Sequence, residues 1–121
     1  MPCYSSKLAP DRRHHDQNTP ADSLSGVRLY TFFIYIGEPD EGGHTAFPRL
    51  GLRVLPKKGS ALLWANVLNH DPRQEDLRTE HEAEPPTRGQ KLGANLWLHQ
   101  YDFRGPNNFG CDMDKRVARG E

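Results

Sequence analysis

The sequence has few cysteines, no excess of one charge and no long apolar run. Its two cysteines, Cys3 and Cys111, lie near opposite ends of 121 residues. They can pair only if the ends meet, and they do not define a redox compartment. The 16 basic and 16 acidic side chains cancel, which argues against nucleic acid or an anionic membrane as a partner. No window approaches the length of a transmembrane segment, and the N-terminus lacks the apolar region of a signal peptide.

The composition favours a small β protein. Hydrophobic residues make up 35% of the chain, beside 11 glycines and 10 prolines. Such a chain is long enough for one domain and rich in turns, and it contains no convincing long helix.

Residues 27–36 give the strongest strand signal, because they are rich in β-branched and aromatic side chains. Both faces of this strand are largely apolar, so we expect it to be covered on both sides. A loop is predicted at residues 37–51, with residues 45–47 as a short island within it. Shorter strands are predicted at 52–55 and 60–66, a second loop at 67–78 and a turn at 85–89. Several short strands separated by turns indicate a sandwich or barrel.

Within residues 79–101, the part from Lys91 onward alternates between two kinds of side chain. Leu92, Ala94, Leu96 and Leu98 fall on one face, and Lys91, Gly93, Asn95, Trp97 and His99 fall on the other. This pattern predicts a strand whose aliphatic side lies in a core and whose polar side lines a cavity. A buried lysine would then need an anionic partner. The alternative is an ordinary amphipathic edge strand with Lys91 in water.

A candidate metal site is formed by His14, Asp16 and His81. In extended backbone His14 and Asp16 point the same way, whereas His15 points away and is left out of the set. Two imidazoles and one carboxylate on one side of an iron, with three positions open, are what non-haem Fe(II) oxygenases use. Alone, the H-x-D pattern is weak.

A longer series of residues, in order within residues 14–111, strengthens this pattern. The series comprises His14-His15-Asp16; Arg28, Thr31 and Tyr35-Ile36; residues 41–48; residues 56–59 and 61–64; and Thr79, His81, Pro85, Gly89, Lys91, Ala94-Asn95, Trp97 and His99. Lys91 follows His81 by ten residues. With these residues the chain resembles the catalytic domain of the prolyl 4-hydroxylase family of 2-oxoglutarate- and Fe(II)-dependent dioxygenases.

The resemblance implies an all-β double-stranded β-helix, or jelly-roll. It implies that His14, Asp16 and His81 bind Fe(II), that Lys91 forms a salt bridge with the distal carboxylate of 2-oxoglutarate, and that the Thr31 hydroxyl helps to hold this co-substrate. Trp97 and His99 are expected on the cavity side, where a peptide would enter. No catalytic residue is implied beyond the metal centre.

The implied activity is 4-hydroxylation of peptidyl proline, in which O2 and 2-oxoglutarate are consumed, succinate and CO2 are released, and L-ascorbate restores the iron. The resemblance alone suggests the endoplasmic reticulum. Two alternatives stay open: the same chemistry on another amino-acid or protein substrate, and a non-catalytic remnant that serves as a binding module.

Family members have a longer N-terminal part, with helices behind the sheet and a tyrosine shortly before the H-x-D. Here only Tyr4 is available, and that role is not transferred to it. We therefore expect residues 1–121 to form one catalytic domain with its core at about 14–111, a truncated N-terminal part and a frayed tail at 112–121. A missing helical layer would leave apolar sheet surface in water, so low solubility or a partner subunit is expected.

Overall fold

The computed structural model describes residues 3–5, 11–17, 23, 25–102 and 104. Within them the chain is built from short β-strands. These are β1 (Cys3–Ser5), β2 (Asp11–His14), β3 (Arg28–Gly37), β4 (Glu41–Gly42), β5 (Thr45–Phe47), β6 (Leu52–Val54), β7 (Ala61–Ala65), β8 (Val67–Leu68), β9 (Asp71–Glu75), β10 (His81–Ala83), β11 (Pro86–Arg88) and β12 (Leu92–His99). Two 3-10 turns, Pro48–Leu50 and Leu77–Thr79, lie between the strands. None of the helices in the described residues is long and apolar enough to cross a membrane.

The strands form two four-stranded sheets. The order is β1-β12-β3-β7 in the first sheet and β2-β10-β5-β6 in the second, and every neighbouring pair is antiparallel. Neighbours in space are mostly distant in sequence, as in a jelly-roll. Two-stranded ribbons, β4 with β11 and β8 with β9, complete the structure. The predicted all-β jelly-roll is confirmed.

The long strand β3 lies between β12 and β7. Its inner face buries Thr31 and Tyr35 almost completely, at 0% and 1% exposure. On its outer face Tyr30 and Ile36 remain 39% and 48% exposed. The prediction that both faces of this strand are covered is therefore wrong for the part of the chain described. The sequence could not separate the two faces because both are apolar.

Strand β12 begins one residue after Lys91, close to its predicted position, but its aliphatic side is only partly buried. The ammonium side is buried, with Lys91 only 6% exposed. On the aliphatic side Leu92 and Leu98 are 37% and 48% exposed. The prediction of an aliphatic core face holds for Ala94, which is 4% exposed, but is wrong for Leu92 and Leu98, because the two sheets pack across the polar side. The alternative with Lys91 in water is equally excluded.

Two segments expected to be irregular pair as strands. Residues 67–78 contain the antiparallel ribbon β8–β9, and residues 86–88 pair as β11 with β4. These strands are too short and too polar to show a period in the sequence. The predicted frayed tail, residues 112–121, and Cys111 lie outside the described residues, so the possible pairing of Cys3 with Cys111 stays untested.

Candidate metal centre

Two neighbouring strands of the second sheet bring the predicted ligands together. His14 ends β2, His81 begins β10, and the two residues are direct partners across these antiparallel strands. Asp16 lies just beyond β2. Its Oδ1 is 3.3 Å from His14 Nε2 and 3.5 Å from His81 Nε2. All three ligand atoms lie within 4.8 Å of one another. The structure thus places the three predicted metal residues in one cluster.

The surroundings of His81 hold its imidazole in the form that binds a metal. Its Nδ1 lies 2.9 Å from the carbonyl oxygen of Thr79. Because a carbonyl only accepts, Nδ1 carries the proton and the lone pair is on Nε2, toward Asp16. Burial lowers the pKa of His81, against the attraction of Asp16. The rings of Trp64 and Phe47 pack against it at centroid distances of 4.8 and 5.6 Å.

The Asp16 carboxylate is held by different partners at its two oxygens. Oδ1 faces the imidazoles, whereas Oδ2 accepts a hydrogen bond of 2.7 Å from Thr31 Oγ1. Burial acts to raise the pKa of Asp16, but hydrogen bonds from His14 and Thr31 and the attraction of His81 outweigh it and lower the pKa. The group is therefore an ionised ligand.

These donors fit an iron(II) ion. A cluster of two imidazole nitrogens and one carboxylate oxygen is the facial set that non-haem Fe(II) oxygenases use. His81 presents a lone pair from a tautomer fixed by hydrogen bonding, and Asp16 presents a single oxygen. Among the described residues no other group of three histidines, cysteines or acidic residues is placed to hold a metal.

A second polar cluster surrounds Lys91. Its Nζ is 3.5 Å from Thr45 Oγ1, and the hydroxyl groups of Thr45 and Tyr35 are hydrogen-bonded at 2.7 Å. The rings of Phe33 and Tyr35 lie 5.8 and 5.7 Å from Nζ. A cation and two hydroxyl groups in a buried, aromatic-walled site suit an anionic group. Tyr35 and Thr45 were not predicted, although Tyr35 shares the inner face of β3 with Thr31.

Gly93 makes room in this cluster. It lies opposite Tyr35 on β3, and a Cβ atom at this position would collide with the Phe33 ring. The absence of a side chain at Gly93 therefore leaves space for the Phe33 ring, which packs nearly perpendicular to the Tyr35 ring at a centroid distance of 4.9 Å. The glycine belongs to the cavity face, as its place in the alternating pattern predicted.

The Thr31 side chain lies next to the metal cluster. Its hydroxyl contacts Asp16 and Asn66, both buried, and not the Lys91 cluster. The co-substrate role that the resemblance implies for Thr31 stays a prediction. The hydroxyl groups that the structure places beside Lys91 are those of Tyr35 and Thr45.

Trp97 and His99 lie on the cavity side of β12, next to Arg28. The Arg28 guanidinium stacks over the Trp97 ring at 4.0 Å, and His99 is the register partner of Arg28. Arg28 also donates from Nη1 to the carbonyl oxygen of Asp16 at 3.2 Å. Burial lowers the pKa of Arg28, against the attraction of Asp16. Arg28 thus links Trp97 to the metal cluster, and His99 lies opposite Arg28. The substrate-side role of Trp97 and His99 stays a prediction.

The chain is similar to known oxygenases in both sequence and fold. Residues 4–99 match the family model described as the 2OG-Fe(II) oxygenase superfamily. The chain is 39% identical over 107 residues to prolyl 4-hydroxylase subunit alpha-2 of Caenorhabditis elegans. It is 40% identical over 84 residues to prolyl 4-hydroxylase subunit alpha-1 of Gallus gallus. It also resembles the crystal structure of a viral collagen prolyl hydroxylase from Paramecium Bursaria Chlorella virus-1 in its 2OG complex, with 29% identity and a TM-score of 0.67.

The similarity covers most of this chain but a smaller part of its relatives. The two curated alignments include 87% and 68% of the chain, but only 19% and 16% of the nematode and chicken proteins. The structural match covers 77% of this chain and 53% of the viral chain. The chain therefore corresponds to one portion of the longer prolyl 4-hydroxylase subunits.

Proposed function

The chain belongs to the 2OG-Fe(II) oxygenase superfamily, and we propose that it is the catalytic core of a prolyl 4-hydroxylase that acts on peptidyl proline. The observation that carries this proposal is the convergence of His14, Asp16 and His81 on one point inside the jelly-roll. We assign residues 1–121 to a single catalytic domain, with its core at about residues 14–111.

In this proposal His14, Asp16 and His81 hold Fe(II) from one side and leave its other positions to co-substrate and O2. When bound, iron with 2-oxoglutarate and O2 supplies the oxidising chemistry: 2-oxoglutarate is decarboxylated to succinate and CO2, and a C–H bond of the substrate becomes C–OH. The rings of Trp64 and Phe47 exclude water from the His81 side of the centre.

We assign Lys91 to bind the distal carboxylate of 2-oxoglutarate. The hydroxyl groups of Tyr35 and Thr45 take part in the same site. Thr31, next to Asp16, and Tyr35, next to Thr45, lie on the same inner face of β3. A dicarboxylate that reaches from the iron toward Lys91 would follow this face. An ammonium held in an apolar wall gives such a carboxylate a strong charge-assisted hydrogen bond.

The peptide is assigned to the surface formed by Arg28, Trp97 and His99. Arg28 Nε and Trp97 Nε1 are buried donors without a hydrogen-bond partner among the described residues. Carbonyl oxygens of a bound peptide would satisfy them, which removes the cost of burying an unpaired donor. The stacking of Arg28 on Trp97 holds both donors close to Asp16. L-Ascorbate and a partner subunit are part of the proposal through the resemblance; no residue here is assigned to them.

The experiment that tests this function is turnover of the purified chain with Fe(II), 2-oxoglutarate, ascorbate and a proline-rich peptide. We expect succinate formation that depends on the peptide, with one oxygen atom added at proline as located by tandem mass spectrometry. Succinate without peptide oxidation would indicate another substrate. A folded, metal-loaded chain that forms no succinate would contradict the enzymatic function and favour a binding module.

A further inference from the structure

A chain of hydrogen bonds leads from the interior of the first sheet to the metal-binding carboxylate. Asn66 Nδ2 lies 2.9 Å from Thr31 Oγ1, which in turn lies 2.7 Å from Asp16 Oδ2. Thr31 and Asn66 are 0% exposed and Asp16 is 6% exposed. Buried polar groups are stable only when they are hydrogen-bonded, so this series of hydrogen bonds has a defined geometry.

Chemistry decides which group donates and which accepts in each of these hydrogen bonds. An ionised carboxylate only accepts, so the single hydroxyl proton of Thr31 is directed to Asp16 Oδ2. The Thr31 oxygen then accepts from the Asn66 amide, which donates through Nδ2. The longer contact of 3.3 Å between Thr31 Oγ1 and Asn66 Oδ1 cannot use the same proton.

Asn66 is itself immobilised through its backbone. Its N–H donates to the carbonyl oxygen of Leu29, and its own carbonyl oxygen accepts from the N–H of Asp76, each at 2.9 Å. Asn66 therefore joins β3 to the segment that leads into His81. The hydroxyl at Thr31 is oriented by a residue whose position is set by two separate parts of the fold.

From these contacts we infer that Thr31 and Asn66 are positioning residues that hold Asp16 in monodentate coordination. Engagement of Oδ2 by Thr31 leaves only Oδ1 directed at the imidazoles of His14 and His81. A carboxylate free to turn could offer both oxygens and occupy a position that the co-substrate or O2 needs. Partners that orient metal ligands in this way typically change metal affinity about 10–100-fold when removed.

The inference rests on the proposed function, because it assumes a metal at the three-residue cluster. Its test uses Co(II), a spectroscopic probe that reports coordination without turnover. The purified chain is titrated anaerobically with Co(II), and the visible absorption spectrum and dissociation constant are recorded for wild type and variants. If the wild-type protein binds no Co(II), the metal site itself is overturned. If the wild-type protein binds Co(II) and the variants bind it with the same affinity and spectrum, only the inference is overturned.

Thr31→Val removes the hydroxyl and keeps the shape of the side chain. We expect a loss of Co(II) affinity of about 10–100-fold and an altered d–d spectrum, because Asp16 is no longer held at Oδ2. Thr31→Ser should restore both. The matched control is Ser25→Ala, which removes a buried hydroxyl that bonds to Ser23 and should leave both readouts unchanged.

If Thr31→Val does not fold, Thr31→Ala carries the test, since the space it opens admits a water that can satisfy Asn66. It should still shift the Co(II) spectrum. A Thr31 variant with wild-type Co(II) affinity and spectrum overturns the inference. A variant that binds Co(II) normally but needs more 2-oxoglutarate also overturns it, and supports the co-substrate role for Thr31.

Discussion

Lys91 is the single residue that most directly favours a carboxylate ligand over a neutral one. It is 6% exposed, and its ammonium lies among two hydroxyl groups and two aromatic rings. An ammonium in such surroundings is stabilised by a carboxylate far more than by a neutral ligand. Single-residue changes here should therefore separate co-substrate binding from metal binding.

Lys91→Ala should weaken 2-oxoglutarate binding about 10–100-fold, because a charge-assisted hydrogen bond to a buried carboxylate is lost. Affinity for Fe(II) or Co(II) in the absence of 2-oxoglutarate should stay unchanged. Both constants can be measured by anaerobic spectroscopic titration. Lys57→Ala, at an exposed turn, is the control and should alter neither. Unchanged 2-oxoglutarate affinity in Lys91→Ala would remove the lysine from this site.

At the residue scale, the sequence predicts what lies close along the chain or repeats along a strand. His14 and Asp16 could be paired because alternate residues share one side, and the family pattern added His81 and Lys91. The contacts of Thr31 with Asp16 and of Tyr35 with Thr45 depend on which strands lie opposite each other. That arrangement is a property of the sheet order, so these partners could not be predicted.

At the scale of elements, a short turn supports the segment that carries His81. Asp76 caps the 3-10 turn Leu77–Thr79 by accepting from the backbone N–H of Arg78 at 3.1 Å. His15 reaches this turn from the other side: its Nδ1 accepts from the N–H of Gln17, so its Nε2 donates to the carbonyl oxygen of Asp76 at 3.0 Å. The segments carrying Asp16 and His81 are thereby joined outside the metal cluster.

The cap should make stability depend on pH. Hydrogen bonds from Arg78 lower the pKa of Asp76 below its ordinary value of 3.8. Because the folded-state pKa is the lower one, ionised Asp76 stabilises the fold above about pH 4, and this contribution is lost as the pH falls through the folded-state pKa.

Asp76→Asn keeps a capping side chain but removes the charge, so the metal-free variant should be about 0.5–1 kcal/mol less stable than wild type at pH 7. The gap should close as the pH falls below about 4. Urea unfolding at several pH values measures it. Asp40→Asn is the control: this carboxylate is exposed and 3.7 Å from Arg88, and its gap should be smaller at pH 7. A gap for Asp76→Asn that persists in acid would contradict the ion-pair account.

The sequence predicted elements where the pattern was long enough. β3 and β12 carry eight or more residues and were located within a residue or two. The ribbon of β8 and β9 was missed because β9 is polar and contains a proline. Such strands are stabilised by pairing with a neighbouring strand, and this pairing leaves no periodic pattern in the sequence.

At the scale of the whole molecule, the two faces of the first sheet are unequal. The inner face lines the site, while on the outer face Leu63 and Leu98 are 64% and 48% exposed, next to Tyr30 and Ile36. The register places Leu98 opposite Tyr30 and Leu63 opposite Phe32, so these side chains form one apolar surface. Surfaces of this kind promote association in water.

Leu63→Lys should reduce self-association of the purified chain and change its stability by less than about 0.5 kcal/mol, because the side chain is already mostly in water. Light scattering against concentration and urea unfolding measure the two effects. Leu55→Lys is the matched control, since Leu55 is 62% exposed but lies outside this sheet. If both variants reduce scattering equally, the outer face is not the cause of association.

The central claim is that the jelly-roll holds iron and 2-oxoglutarate together through His14, Asp16, His81 and Lys91. The most direct test is an anaerobic titration of the chain with Fe(II) and 2-oxoglutarate, followed through the visible metal-to-ligand charge-transfer band. We expect the band in wild type and in His70→Ala, an exposed loop control, and its loss in His81→Ala with the fold retained. A folded wild-type chain without the band, or an unchanged band in His81→Ala, would contradict the claim.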